Sequence, residues 1–323
     1  MHKQLPAWQL IQQSLQQNIA VMLLYVIESK GSSPGRQGFM MVVNADGDMI
    51  GSLGGGIMEH KFIELAKSKL VESLEEVSIH KQLHDKVSAK NQSGMICSGE
   101  QTIFLYSVYE GDIDSVVALI RSLENNENGT LQLSPQGITF SVDIPSTDFS
   151  LEVFSEEDFL YTEKTGHRNH LYIIGGGHCA LAFSKLMSGM DFYIHLYDDR
   201  EGLNTMQQNE YAHEKTMIED YAELAHLIPS GNNIYVVIMT FGYRTDEVVL
   251  KALLGKEFKY FGLLGSNSKI SKMFKDFVMA GTSPLLLNHI HAPVGLQIKS
   301  QTPEEIAVSI AAEIIQVKNQ YNV

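Results

Sequence analysis

The sequence predicts an α/β protein of two domains, a mixed α/β domain followed by a doubly wound parallel sheet. Three observations predict it. The 323 residues exceed the usual size of one domain. The second half alternates short apolar runs with helical periodicity, which is typical of parallel sheets covered by helices. Between the halves, the charged stretch 152–169 is expected to be irregular, so we place the domains at residues 1–165 and 166–323.

Composition excludes several classes of function. Hydrophobic residues make up 44% and charged residues 19%, as in soluble globular proteins. A net charge of −14 would repel phosphates, which argues against nucleic-acid binding. The polar start lacks an apolar signal core, and the apolar runs are shorter than a membrane span. We therefore expect a cytoplasmic protein without a membrane partner.

The first domain begins with a helix, a buried strand and a hairpin. Trp8, Ile11 and Leu15 recur at helical spacing, and apolar runs mark the strands. A loop with three glycines around Arg36 separates the first two strands. Arg36 either faces solvent or clamps a phosphate or carboxylate. In order, the predicted elements are a helix over 6–17 and strands over 19–29, 39–44 and 49–53.

A second glycine turn in this domain leads into a helix. Gly54, Gly55 and Gly56 precede apolar residues at helical spacing from Ile57, and the first N–H groups of a helix can bind an anion. Glu59 lies in the first turn, where an acid also simply stabilises the helix dipole. The candidate binding residues of this domain are Gly35, Arg36, Gly54, Gly55, Gly56, Glu59 and Gly99.

One of the two cysteines stands in a loop. Cys97 lies between Gly94 and Gly99, before a predicted strand over 101–108. A thiolate there would be a soft nucleophile or a partner for sulfur chemistry. The alternative is a small buried residue, as most free cysteines are. Cys179 lies at a predicted helix start, and two cysteines do not form a metal site or disulfide framework.

The carboxy-terminal domain opens with a motif typical of nucleotide binding. An apolar strand, Leu171–Ile174, leads into Gly175, Gly177 and Ala180 in the pattern G-x-G-x-x-A, followed by a helix. Asp198 ends the next strand 23 positions after Gly175, where an acid can accept a ribose hydroxyl. The alternative is a glycine-rich turn that binds nothing. The pattern predicts a Rossmann-like domain.

Further strands complete the predicted parallel sheet. They cover residues 192–197, 233–240 and 259–264, with helices between them, and the stretch 213–227 is expected to include a short helix. Loops after parallel strands converge on one crevice. The candidate binding residues there are Gly175, Gly176, Gly177, His178, Asp198, Thr240, Gly265 and Ser266.

These motifs together resemble the XdhC/CoxI family, the xanthine dehydrogenase accessory proteins. The first domain carries GSSPGRQGFMMVVNADGDMIGSLGGGIMEH and MICSGEQTIFLYSV, and the second carries YIIGGGHCALA, IHLYDDR, YFGLLGSNSK and IHAPVGLQIKSQTPEEIAVSIAAEI. The chain departs from the family pattern in three places. Cys97-Ser98-Gly99 stands for Cys-Gly-Gly, Thr240–Asp246 lacks two histidines, and Gln297 replaces an acid.

The resemblance implies a molybdenum-cofactor chaperone rather than a catalyst. Such a protein binds the molybdopterin cofactor, in which a nucleotide can be attached, and supports its sulfuration by a cysteine desulfurase and its insertion into a xanthine dehydrogenase-type apoenzyme. Cys97 would then contact sulfur or molybdenum. A homodimer is expected for a two-domain α/β protein. The alternative is an oxidoreductase that binds NAD(P) in the Rossmann-like domain.

Overall fold

The computed structural model describes residues 2–72, 76–83, 99–155 and 158–320. The chain divides into two compact units, Met1–Gly166 and His167–Val323. The predicted fold class is confirmed: the first unit is mixed α/β and the second is built on a parallel sheet. None of the helices formed by the described residues combines the length and apolar character that crossing a membrane requires.

The amino-terminal unit contains two antiparallel sheets. The larger has the strand order β3-β2-β1-β5-β4 and the smaller β7-β6-β9-β8. The helices are α1 (Leu5–Gln16), α2 (Gly56–Val71) and α3 (Ile113–Glu124). The strands are β1 (Val21–Gly31), β2 (Met40–Asn44), β3 (Met49–Gly51), β4 (Val77–Leu83), β5 (Gly99–Val108), β6 (Gly129–Ser134), β7 (Gly137–Ser141), β8 (Phe149–Val153) and β9 (Phe159–Thr165).

Both faces of the larger sheet are covered, and this explains the continuous apolar run of β1. Alternate β1 residues such as Leu23 and Tyr25 pack with Trp8 and Leu119 of α1 and α3 and with the smaller sheet. The residues between them pack against α2 on the other face. Burial on both faces removes the polar alternation that a half-exposed strand would show.

The stretch 152–169, expected to be irregular, contains the end of β8 and the whole of the strand β9. Phe159, Tyr161 and Glu163 point inward in alternation, and Glu163 is buried. Its carboxylate accepts hydrogen bonds from the hydroxyls of Tyr25 at 2.6 Å and Tyr161 at 2.7 Å. Because Glu163 occupies an inward position, the sequence lacks the apolar alternation of a strand. The expectation of an irregular segment was therefore wrong for these residues.

The carboxy-terminal unit is a five-stranded parallel sheet of order β12-β11-β10-β13-β14, with helices on both faces. The strands are β10 (Asn169–Ile174), β11 (Phe192–Asp198), β12 (Glu214–Met217), β13 (Gly231–Ile238) and β14 (Phe258–Leu263). The helices are α4 (His178–Met187), α5 (Asn204–Gln207), α6 (Leu224–Leu227), α7 (Tyr243–Leu253), α8 (Asn267–Met279), α9 (Pro284–Leu287) and α10 (Pro303–Asn319).

Two features of this sheet were not predicted. The short strand β12 extends it to a fifth strand beside β11, within a stretch for which only a helix was expected. On the opposite side, the segment after α9 lies along β14. His291 forms a parallel bridge with Gly262, donates its N–H to the carbonyl of Phe261 and accepts the N–H of Leu263.

Candidate functional site

A cleft of about 970 Å³ opens at the carboxyl ends of the central strands of the second unit. Residues 177–180 form one side, residues 200–205 follow β11, and residues 239–241 follow β13. The strand order reverses between β10 and β13, so the cleft lies at the topological switch point, where ligands of such sheets bind. Of the predicted residues, Gly177, His178 and Thr240 line it.

The turn between β10 and α4 requires glycine at its first position. Gly175 has φ +108°, and a Cβ atom there would lie 2.4 Å from the carbonyl oxygen of Met239. The turn therefore packs against the end of β13. Gly176 donates its N–H to Oδ2 of Asp198 at 2.6 Å. Around Gly177, by contrast, a Cβ would meet no atom within 4 Å, so the turn faces open space at this position.

The first turn of α4 presents unpaired donors to the cleft. Among the described residues, no hydrogen bond uses the backbone N–H of Gly177, His178, Cys179 or Ala180, and the first helical bond runs from Leu181 to Gly177. Unpaired N–H groups and the positive end of the helix dipole favour an anion. A phosphate is the group that this end of the cleft fits.

The acid at the end of β11 is committed to its own chain. Asp198 is fully buried, and its carboxylate accepts from the N–H of Gly176 and from the backbone N–H, Nε and Nη2 of Arg200 at 2.6–2.8 Å. Burial alone would raise the pKa of Asp198, but the hydrogen bonds from Arg200 and Gly176 outweigh burial and lower the pKa. Asp198 is therefore an anion held beneath Arg200.

The loop after β13 and the first turn of α7 form a half-buried polar cluster around the buried carboxylate of Asp246. The hydroxyl of Thr240 bonds to Oδ1 of Asp246 at 2.5 Å and to the hydroxyl of Thr245 at 2.7 Å. Asp246 pairs with Lys269 of α8, but burial is the stronger effect and raises the pKa of Asp246. The predicted residues Gly265 and Ser266 stand at the start of α8, where Ser266 caps the helix by accepting the N–H of Lys269.

In the amino-terminal unit, the predicted glycines meet at one place, which we call the glycine junction: Gly35, Gly54 and Gly99. A Cβ on Gly54 would lie 2.3 Å from the nitrogen of Gly35, and one on Gly99 would lie 2.6 Å from the carbonyl carbon of Ser32. The carboxamide of Gln101 donates to the carbonyls of Gly35 at 3.0 Å and Leu53 at 3.2 Å. Three chain segments are thus in backbone contact.

The turn into α2 is partly occupied by its own acid. Oε2 of Glu59 accepts from the N–H of Leu53 at 2.8 Å, the N–H of Gly55 at 3.0 Å and the hydroxyl of Ser52 at 2.6 Å. Within the described ranges, the N–H groups of Gly56 and Ile57 make no hydrogen bond. The α2 turn thus keeps open donors and carries a carboxylate beside them, as the α4 turn does with Asp198 on the N–H of Gly176.

The remaining predicted residues of this unit have different outcomes. Arg36 is exposed and donates from Nη1 to the carbonyl of Gly31 at 2.9 Å. Cys97 lies outside the described residues, so its place relative to the glycine junction stays a prediction. Gly99, two positions later, pairs with Gly31 at the start of β5. In the part of the chain that the structure describes, no three His, Cys, Asp or Glu side chains are grouped to hold a metal ion.

Sequence reasoning missed three residues that shape these places. Arg200 and Phe241 line the cleft, and the ring of Phe241 is 87% exposed. Arg200 lies two positions after Asp198, and Phe241 lies directly after the strand predicted over 233–240. Extending the candidate site by one or two residues beyond each strand end would have included both. Gln101 was taken as an ordinary strand residue, although a buried amide needs partners, which here are the loops at Gly35 and Leu53.

Fold and cleft define a two-domain α/β protein whose second domain is of the Rossmann type. Residues 171–314 match the family model described as the XdhC Rossmann domain, and residues 14–77 match that of the XdhC and CoxI family. The chain belongs to the XdhC and CoxI family. This membership supports an accessory role for the chain.

Three individual proteins are similar to this chain over most of its length. The uncharacterized protein YqeB of Escherichia coli is 26% identical over 313 residues, which are 94% of this chain and 44% of that protein. The chain thus spans less than half of that relative. A probable xanthine dehydrogenase subunit from Bacillus subtilis is 23% identical over 322 residues, 92% of this chain and 93% of that protein. A crystal structure described as that of a xanthine dehydrogenase from Bacillus halodurans shares the fold, with TM-score 0.71, 23% identity and coverage of 98% and 96%.

Proposed function

We propose that this chain binds the molybdenum cofactor and supports its sulfuration and its insertion into a xanthine dehydrogenase-type molybdenum hydroxylase. The observation that carries the proposal is that both domains match models of one family, in the order of the chain. The Bacillus subtilis relative is named as a probable subunit of xanthine dehydrogenase, which is the type of enzyme that we propose as the recipient. The proposed partners are the apoenzyme and a cysteine desulfurase, and the proposed assembly is a homodimer.

The residues present fit a phosphorylated pterin. Such a ligand needs donors for its phosphate, and the first turns of both α2 and α4 offer N–H groups that no described residue occupies. We assign the cofactor to the glycine junction, because Gly99 stands two positions after Cys97 in the sequence. There, Gly54–Gly56 and Arg36 would hold the ligand, and the thiol of Cys97 would face its sulfur or metal.

Each group of the chain has a defined part in this assignment. The bound cofactor supplies the molybdenum centre that the recipient enzyme uses. Gly55 leaves open space beside the turn, since a Cβ there would meet nothing within 4 Å. Glu59 holds the N–H groups of Leu53 and Gly55 and so fixes the turn. A thiolate at Cys97 would be a soft ligand for the metal or a nucleophile toward its sulfur.

The test is purification of the protein from cells that make the cofactor, followed by oxidation and pterin fluorescence. We expect pterin to copurify with the wild type and Cys97→Ser to lower the pterin content by about tenfold. Protein from cells blocked in pterin synthesis sets the background. Gly177→Asp, which places a carboxylate at the α4 turn, should leave the content unchanged. Absence of pterin from the wild type overturns the proposal. Loss with Gly177→Asp alone overturns the assignment to the glycine junction.

Sulfuration, insertion and assembly have separate readouts. Mixing the loaded protein with the apoenzyme and a desulfurase should restore hydroxylase activity, and omission of the desulfurase should leave the recipient inactive. Light scattering should give twice the chain mass of 36.0 kDa. Activity that returns with free cofactor just as fast, without this chain, contradicts the insertion role.

A second candidate function is binding of NAD(P) by the Rossmann-type domain, as in an oxidoreductase. The strand order and the unpaired N–H groups of residues 177–180 favour it. Titration with NADH and NADPH, followed by their fluorescence, tests it. Saturable binding supports the candidate, and its absence for both dinucleotides removes it.

A further inference from the structure

The carboxyl end of β11 presents a guanidinium to the cleft where nucleotide-binding domains commonly present a free carboxylate. Asp198 is fully buried, whereas the side chain of Arg200 keeps 36% of its surface exposed and lines the cleft. Of these two side chains, the one that the end of β11 presents to the cleft is therefore the cationic one.

The carboxylate of Asp198 has no acceptor capacity left for a ribose hydroxyl. An ionised carboxylate offers about four acceptor positions. Gly176 and three groups of Arg200 fill them, at 2.6–2.8 Å. A hydroxyl could bind there only by displacing one of these charge-assisted or backbone hydrogen bonds, which are costly to leave unpaired when buried. A ligand that leaves all four hydrogen bonds of Asp198 intact must therefore bind to other groups of the cleft.

Arg200 retains donors that point to a specific chemical group. A guanidinium carries five N–H bonds, of which the side-chain bonds to Asp198 use two. The remaining N–H groups form the planar fork that suits a phosphate. The guanidinium carbon also lies 5.8 Å from the ring centre of Phe241, which is 87% exposed and offers a stacking surface for an aromatic base.

The cleft thus has two places for anions and one for a flat ring. The unpaired N–H groups of α4 fit one phosphate, Arg200 fits a second, and the cleft volume of about 970 Å³ suits a nucleotide-sized ligand. We propose that the cleft takes a nucleotide that carries a phosphate on its ribose in addition to its 5′ phosphate, and that Arg200 recognises the ribose phosphate. This inference rests on the nucleotide-binding candidate above and specifies its ligand.

A nearby acid supplies an independent check. Glu201 lines the cleft next to Arg200 and is exposed, so its charge opposes a second phosphate. The carboxylate of Asp199 already accepts the hydroxyl of Tyr221 at 3.1 Å, so it is less free than Glu201 to interact with a ligand. Glu201→Gln should therefore strengthen binding of a doubly phosphorylated nucleoside by about twofold to fivefold, and more at low salt, without a change of fold.

The experiment compares adenosine 2′,5′-bisphosphate, its 3′,5′ isomer and 5′-AMP by titration calorimetry with the full chain. We expect one bisphosphate to bind at least about tenfold more tightly than 5′-AMP. Arg200→Gln should remove this preference and leave 5′-AMP within about threefold, whereas Arg200→Lys should keep part of it. Arg121→Gln, at an exposed arginine of α3 in the other unit, is the matched control and should keep it all.

The outcomes distinguish the role of Arg200 from the existence of the nucleotide site. Equal affinity for all three ligands, unchanged by Arg200→Gln, overturns the role of Arg200 and leaves the nucleotide site standing. No binding of any of them overturns both. Should Arg200→Gln fail to fold, the Glu201→Gln and Arg200→Lys titrations decide. Neither pterin copurification nor Cys97→Ser bears on this result, so the cofactor proposal stands or fails separately.

Discussion

Replacing Gly54 with alanine tests the backbone contact that forms the glycine junction. Gly54 has φ +116°, and an added Cβ would lie 2.3 Å from the nitrogen of Gly35 and 2.4 Å from the carbonyl carbon of Pro34. The unfavourable φ costs about 1–3 kcal/mol. Overlap with backbone atoms, which cannot rotate away, adds about 1–3 kcal/mol. We expect Gly54→Ala to destabilise the amino-terminal unit by about 2–6 kcal/mol, a large part of a typical domain stability.

The assay uses Trp8, the only tryptophan of the chain, which is fully buried in the amino-terminal unit. Its fluorescence during urea unfolding reports this unit alone. Gly47→Ala is the control, because Gly47 has φ +94° in the hairpin turn but an added Cβ would meet nothing within 4 Å. It should cost only the strain of about 1–3 kcal/mol. Coinciding unfolding midpoints for the two variants would refute the close contact of the two loops.

Two further predictions concern the carboxy-terminal unit and use calorimetry. Burial lowers the pKa of His213 to about 4, and its Nδ1 accepts the N–H of Ile194 at 2.9 Å. Since unfolded histidine titrates near about 6.5, only the unfolded chain gains this proton between those pH values, and stability should fall as the pH drops through that window. His213→Asn should show a smaller slope, and equal slopes would contradict the assignment. Lys269→Met leaves the carboxylate of Asp246, 1% exposed, without its cation, and should cost about 3–5 kcal/mol. Adding Asp246→Asn should recover much of this, and a single-variant loss below about 1 kcal/mol would show that the pair is not buried.

The first part of the Rossmann-type domain could be predicted well from the sequence. Leu171–Ile174, the glycine turn and Ala180 each have a local cause, because a buried strand, a tight turn and close helix packing require those residue types. The structure forms β10, α4 and β11 there. The same reasoning gave the parallel sheet, since alternating strands and helices leave few other arrangements.

Two of the strands that were missed, β9 and β12, carry charge at inward or edge positions. Glu163 faces inward in β9 because two tyrosine hydroxyls from separate strands bind it. β12 begins Glu214-Lys215 because one edge of the strand faces solvent. Both causes are tertiary, and neither leaves a periodic apolar pattern in the chain.

Sequence also has a limited power to predict what the acids of the candidate sites bind. Asp198 lies at the spacing of a ribose-binding acid, and Glu59 lies in the first turn of a helix after a glycine turn. The sequence gives no sign of the internal donors that bind both carboxylates. In the structure both bind N–H groups of their own turns. Whether either also contacts a ligand stays a prediction. The free N–H groups at the start of α4, by contrast, follow from the predicted glycine turn and helix, and in the structure no described residue accepts from them.

The residues that lie along β14 have a consequence for self-association. Open sheet edges invite another chain to add a strand. Here the His291 segment already pairs with Gly262 at one edge. At the other edge stands β12, four residues long and charged at Glu214 and Lys215. Copies of this domain are thereby hindered from joining their sheets edge to edge, so any assembly through it has to be built from helix faces or loops.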